Sequence, residues 1–113
     1  MANSQPIALR DLNIAQDFAR RLGEQVSPQL FQITLFGSRA RGEADEESDL
    51  DLFIALKEND PQGKVKETAS HIACDLTLEY GMLVSVFVAD SDFLEQHDGF
   101  AFLETVREEG VPL

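Results

Sequence analysis

The sequence has few cysteines and no long apolar runs. Its 113 residues include one cysteine, Cys74, which excludes a disulfide framework and a cysteine-rich metal site. Cys74 follows an apolar helical position and is expected to be a small buried residue rather than a nucleophile. No segment approaches the roughly 20 apolar residues of a membrane span, and residues 1–6 do not resemble a signal peptide. These absences predict a cytoplasmic protein with no membrane partner.

Cationic side chains are also scarce. Nine Lys and Arg residues oppose 21 Asp and Glu residues, which gives a formal net charge of −12 at pH 7. Such a chain repels nucleic-acid backbones and anionic lipid surfaces unless a metal ion mediates the contact. The charge therefore excludes nucleic acid as an expected partner and favours a basic protein, although acidity for solubility alone is an equally good explanation.

Apolar spacing and turn residues divide the chain into alternating helices and strands. The predicted elements are a helix over 9–22 ended by Gly23, strands over 30–36 and 49–56 joined by a loop, a helix from Pro61 to Gly81, a strand over 82–89, a short helical segment capped by Asp90, and a last helix over 99–109. The helix between the second and third strands indicates a βαβ-type crossover. We expect one α/β (α+β) domain over 1–113, with a small mixed sheet flanked by helices on one or both faces.

The loop after the first strand carries groups suited to phosphate. Gly37 directly follows the strand and allows a ligand to approach the backbone closely, and Ser38 adds a hydroxyl. Arg39 and Arg41 supply guanidinium groups, which suit bidentate contact with phosphate oxygens. The loop is not a P-loop, because Glu43 and the alanine after it stand where Lys and Ser or Thr are needed.

Two aspartates open the second strand. Asp49 and Asp51 are two residues apart, so their side chains point to the same face of the strand. Adjacent carboxylates repel each other, and a divalent cation relieves that repulsion. Mg²⁺ typically takes one or two carboxylates and completes its shell with water and substrate phosphates. The loop and the strand together predict a site for a nucleoside triphosphate bound as its Mg²⁺ complex.

These residues carry a family resemblance. Gly37-Ser38, ten intervening residues and Asp49-Leu50-Asp51 resemble the signature of nucleotidyltransferases similar to DNA polymerase beta, and in particular the minimal nucleotidyltransferases. The resemblance implies that Gly37, Ser38 and Arg41 bind the nucleotide, with Arg39 a weaker candidate. It implies that Asp49 and Asp51 bind Mg²⁺ and are catalytic. It also implies ATP as the expected nucleotide and a HEPN-type helical protein as partner, in a toxin–antitoxin pair where the antitoxin transfers AMP to a hydroxyl of the toxin.

The third strand departs from that family pattern. Active members usually carry a third carboxylate there, but residues 82–88 contain no acid, and Ser85 stands where it is expected. Serine is a poor general base at neutral pH. Glu79 and Asp90 bracket the strand, and the sequence leaves open whether either reaches the site. The alternative function is therefore a weak or inactive antitoxin that neutralises its partner by contact. A homo-oligomer without another partner is a third hypothesis.

Overall fold

The computed structural model describes residues 7–43, 45 and 47–113, so the first six residues and positions 44 and 46 of the acidic loop lie outside the described residues. The elements in chain order are α1 (Leu9–Gln25), a 3₁₀ turn (Pro28–Leu30), β1 (Phe31–Phe36), β2 (Leu50–Leu56), α2 (Lys64–Tyr80), β3 (Val84–Ala89), α3 (Ser91–Gln96), α4 (Ala101–Glu109) and β4 (Val111–Pro112). None of the helices in these residues is long and apolar enough to cross a bilayer.

The four strands form one mixed sheet in the order β3-β2-β1-β4. β1 pairs antiparallel with β2, a direction that the sequence left open, and β2 pairs parallel with β3 through the α2 crossover, as the sequence predicts. The α+β class and the mixed sheet are therefore confirmed. β4 is an addition that the sequence pattern did not predict: two residues, one of them proline, pair antiparallel with β1.

Helices cover both faces of the sheet, but unequally. On one face α1 and α2 pack against the larger core, which contains Leu35, Leu52 and Ile54. On the other face α3 and α4 pack over a smaller cluster that includes Phe53 and Ala89. Because side chains alternate along a strand, Asp51 lies on the same face as Phe53. The larger core thus holds the fold together, and the less covered face carries the acidic start of β2.

Helix α1 is longer than predicted. Gly23 does not adopt a left-handed conformation, and the helix continues to Gln25, where the Val26 N–H bonds back to the Leu22 carbonyl. The prediction that Gly23 ends the helix is wrong because a glycine is only permissive, and nothing here requires positive φ. Gly81, by contrast, has φ 69° and ends α2 as predicted.

Helix α2 begins later than predicted. It starts at Lys64 rather than Pro61, and the Asp60 carboxylate accepts hydrogen bonds from two backbone N–H groups of the first turn. Cys74 is exposed, so the prediction of a buried cysteine is wrong. It follows buried Ala73 by one residue, and that step of about 100° around the helix turns it away from the core.

Candidate functional site

The centre of the site is a close contact between Gly37 and Asp51. Gly37 has φ 80°, and a β-carbon added to it would lie 2.5 Å from Oδ2 of Asp51. The pairing of β1 with β2 causes this contact, since Phe36 lies opposite Asp51 in the ladder. Glycine is required at position 37 both by its backbone angle and by the carboxylate beside it.

Asp49 and Asp51 form an uncompensated acidic pair. Burial raises the pKa of the half-buried Asp51 carboxyl above its ordinary value, and the charge of Asp49 adds to the shift. Within the described part of the chain, neither carboxylate has an ion pair or a side-chain hydrogen bond, and no group of three or more His, Cys, Asp and Glu residues could hold a metal ion. The donor set therefore fits a Mg²⁺ ion that takes two protein carboxylates and fills its shell with water and phosphate oxygens.

Ser85 lies next to Asp51 on the neighbouring strand. The parallel ladder pairs these two residues directly, and Ser85 is exposed. Glu79 does not fill the place of the third acid, because its carboxylate accepts two hydrogen bonds from Arg21 at 2.8 Å. Asp90 does not fill it either, since its side chain caps α3 beyond the far end of β3. Ser85 is therefore the β3 side chain paired with this acid.

The loop from Gly37 to Gly42 forms a tight turn. The N–H groups of Ala40 and Arg41 both bond back to the Gly37 carbonyl, at 3.1 and 3.3 Å. Among the described residues, the N–H groups of Ser38 and Arg39 have no hydrogen-bond partner, and neither has the Ser38 hydroxyl. The turn thus leaves two N–H donors and a hydroxyl available to an anion.

Arg39 makes its side-chain contacts inside the protein. Its guanidinium is buried and donates to both carboxylate oxygens of buried Asp11, at 3.1 and 3.0 Å. It also donates to the Ser48 carbonyl at 2.8 Å and to the Asp45 carbonyl at 3.1 Å. Arg39 therefore ties the later part of the loop to α1, and its guanidinium is occupied by acceptors of the protein itself.

Asp11 was not among the residues predicted for the site. Its position in the sequence could have identified it, because positions 11, 14, 15, 18 and 22 lie on one face of α1. All five residues are buried. An acid on an otherwise apolar stripe of a helix indicates a buried partner of opposite charge. The chain has only nine Lys and Arg residues, so few side chains could be the cationic partner of Asp11.

Arg41 remains near the surface. Its guanidinium donates to Glu43 at 2.8 Å and to Glu109 at 3.2 Å, and all three side chains are at least 39% exposed. Exposed ion pairs of this kind contribute little to stability, because water and salt screen them. The contacts with the two glutamates hold Arg41 only weakly, so an incoming anion can draw it away at small cost.

The raised pKa of Asp51 predicts a stability effect. A carboxyl whose pKa is higher in the folded than in the unfolded state binds its proton more tightly when folded, so stability falls as pH rises through that window. Without metal at pH 7.5, we therefore expect Asp51→Asn to raise the melting temperature by a few degrees. The gain should vanish below the ordinary aspartate pKa of about 3.9. Thermal unfolding at pH 7.5 and 3.5 tests this, and a variant less stable than the wild type at pH 7.5 would contradict it.

The comparisons with known proteins agree with this geometry. Residues 15–105 match the family described as "Nucleotidyltransferase domain". Two Methanocaldococcus jannaschii proteins named "Putative protein adenylyltransferase" are similar, one 36% identical over 68% of this chain and 77% of its own length, the other 29% identical over 84% and 89%. A solved structure titled "Structure of putative minimal nucleotidyltransferase" is 27% identical, with a TM-score of 0.54 over 91% of this chain and 96% of that one. This chain therefore belongs to the nucleotidyltransferase domain family, whose activity is nucleotidyl transfer.

Proposed function

We propose that this protein transfers AMP from ATP, bound as its Mg²⁺ complex, to a hydroxyl of a partner protein, as the antitoxin of a HEPN-type toxin–antitoxin pair. One observation carries the proposal: the carboxylate of Asp51, with the charge of Asp49 beside it, lies against a glycine turn whose Ser38 and Arg39 N–H groups have no partner among the described residues. The names of the Methanocaldococcus relatives support a protein as acceptor and adenylyl as the transferred group.

Each site residue then has a role. Asp49 and Asp51 hold Mg²⁺, which neutralises charge on the triphosphate and on the leaving pyrophosphate. Ser38 and the turn N–H groups bind phosphate oxygens, and Gly37 lets the triphosphate approach Asp51. Arg41 leaves its exposed glutamate partners and donates to the phosphates.

The reaction itself is an in-line displacement. The acceptor oxygen forms a bond to the α-phosphorus, the bond from that phosphorus to the bridging oxygen of the β-phosphate breaks, and pyrophosphate leaves with the electron pair. The hydroxyl proton passes to water or a phosphate oxygen, because β3 offers Ser85 rather than a carboxylate beside Asp51. Transfer by this chain is therefore slow compared with a site that holds a third acid.

A second candidate function is neutralisation of the partner by contact alone. The pairing of Ser85 with Asp51 favours it, since this is the position where a general base would act. The net charge of −12 adds support, because it suits contact with a basic protein. In this case the nucleotide site is regulatory or residual.

Thermal unfolding tests the nucleotide site. At 100 times its dissociation constant a ligand stabilises by about 2.7 kcal/mol, which for a domain of this size raises the melting temperature by roughly 10 °C. We expect that rise with ATP and Mg²⁺ together, a smaller one with the other nucleoside triphosphates, and none in the Asp49→Asn, Asp51→Asn double variant. No rise in the wild type with any nucleotide would contradict the proposal.

The same double variant separates the two candidate functions. It is produced together with the HEPN-type protein of the same organism, with ATP labelled at the α-phosphorus as substrate in lysates. Loss of both label transfer and growth protection supports transfer as the function. Protection without label transfer supports neutralisation by contact.

A further inference from the structure

Strand β3 is an edge of the sheet with a free outer side. Among residues 7–43, 45 and 47–113, it pairs only with β2, and its outer side meets no strand. Residues 82–89 contain no charged residue and no proline, although the chain carries 30 charged residues in all. Edge strands of natural proteins usually carry such residues, because they block pairing with another chain. Their absence here marks β3 as a strand open to a partner strand.

The hydrogen-bonding groups on this edge can be identified. The Leu83 carbonyl accepts from the Leu50 N–H, so it points inward, toward β2. Backbone groups alternate along a strand, so those of Val84, Val86 and Val88 point outward. The Val84 N–H bonds to the Thr77 hydroxyl at 3.0 Å, which agrees with this direction. Among the described residues, the N–H and C=O groups of Val86 and Val88 then have no partner on the outer side of the sheet.

We infer that this edge binds β3 of a second copy of the chain, antiparallel, with the two Val86 residues opposite each other. In this register the outward groups of Val86 bond to their own counterparts, and each Val88 N–H meets the Val84 carbonyl of the second copy. About four hydrogen bonds form without disturbing the contact between Thr77 and Val84. The inference does not depend on the proposed function.

The residues along this edge suit a second copy as the occupant, and their pairing has to outweigh the repulsion between two chains of net charge −12. In the proposed register Asp90 faces Met82 rather than another acid, so the ladder contains no like-charge pair. Leu83 and Phe87, which are 54% and 38% exposed, lie along this edge and become covered. Phe87 of the second copy lies opposite Ser85, which itself neighbours Asp51. In the dimer, Phe87 of each copy therefore lies at the edge of the candidate site of the other copy.

Substitutions at Val86 test the inference. Sedimentation equilibrium should give twice the 12.6 kDa mass of the chain for the wild type at about 100 µM. Val86→Pro removes an outward N–H that β2 does not use, so the fold is retained but the dimer is lost. Val86→Thr is the matched control, which keeps the N–H and the branched side chain and stays dimeric. Circular dichroism verifies that both variants are folded.

Salt and cross-linking complete the test. Two chains of charge −12 repel each other, so the dimer should tighten as NaCl rises from about 0.05 to 0.5 M, whereas contact with a basic partner weakens. In a Cys74→Ala background, Val86→Cys should form a disulfide between copies. A monomeric wild type overturns the inference and leaves the edge to a strand of another protein. A dimer unaffected by Val86→Pro also overturns it, and cross-linking through Phe87→Cys instead of Val86→Cys overturns the register.

Discussion

Replacing Ser85 with aspartate is expected to raise the rate of nucleotidyl transfer about 100-fold. The ladder places residue 85 directly beside Asp51, so the new carboxylate joins the acidic pair and can accept the proton of the attacking hydroxyl. A positioned general base contributes roughly 10²–10⁴ in rate. Ser85 is exposed, so the larger side chain fits without rearranging the core. The measurement is the initial rate of label transfer from α-labelled ATP to the proposed HEPN-type partner.

Ser85→Asn is the matched control, since asparagine has nearly the shape of aspartate without its charge. We expect it to leave the rate within about threefold of the wild type, and we expect only the aspartate variant to lose its gain in rate when the pH falls toward the carboxyl pKa. An equal gain in both variants would show that side-chain size, not a base, limits the wild type. No gain in the aspartate variant would show that residue 85 lies outside the reacting site.

Replacing Arg39 with alanine is expected to cost about 3–5 kcal/mol of stability, because it leaves a buried acid without its partner. Asp11 is 3% exposed and Arg39 7%, so water cannot replace the lost hydrogen bonds. For a domain of this size, the loss lowers the melting temperature by more than about 10 °C. Thermal unfolding without ligand measures it.

The double variant Asp11→Leu, Arg39→Met distinguishes two causes of lost stability. One is a buried Asp11 left without a partner, and the other is the loss of the ion pair itself. Replacing both members of a buried ion pair with apolar residues is often neutral, so we expect a melting temperature close to that of the wild type. Because the carbonyls of Asp45 and Ser48 also lose their donor, the loop should loosen and ATP should bind more weakly even in this stable variant. Arg39→Ala melting within about 2 °C of the wild type would refute the structural role of the pair.

Local signals in the sequence were enough to predict most of the fold. The strand at 31–36, the crossover helix and the Asp90 cap follow from periodicity and capping, which act between neighbouring residues. The errors occur where tertiary contacts decide. β4 exists because β1 offers an open edge, not because two residues that include Pro112 favour a strand. One glycine also does not fix where a helix ends, since Gly23 has no positive φ and α1 continues to Gln25.

The candidate site was predictable to a similar degree. The spacing of Gly37, Ser38, Asp49 and Asp51 indicates a shared site, and the pairing of β1 with β2 brings Gly37 against Asp51. The nucleotide and metal roles of these residues remain predictions. The partner of Arg39 could not be read from the spacing, because it lies 28 positions away on another element. The signature over residues 37–52 therefore does not predict a contact with α1.

The anchoring of the loop by Asp11 also affects how the signature is interpreted and engineered. The stretch from 37 to 52 contains the chemical groups, but its shape is imposed partly by a carboxylate that precedes it on α1. Grafting this stretch into another scaffold would transfer its chemical groups without the carboxylate on α1 that helps to hold the loop in shape. When distant sequences are screened for a working loop, an acid at the corresponding place on the first helix is therefore a more informative second criterion than additional matches within the loop.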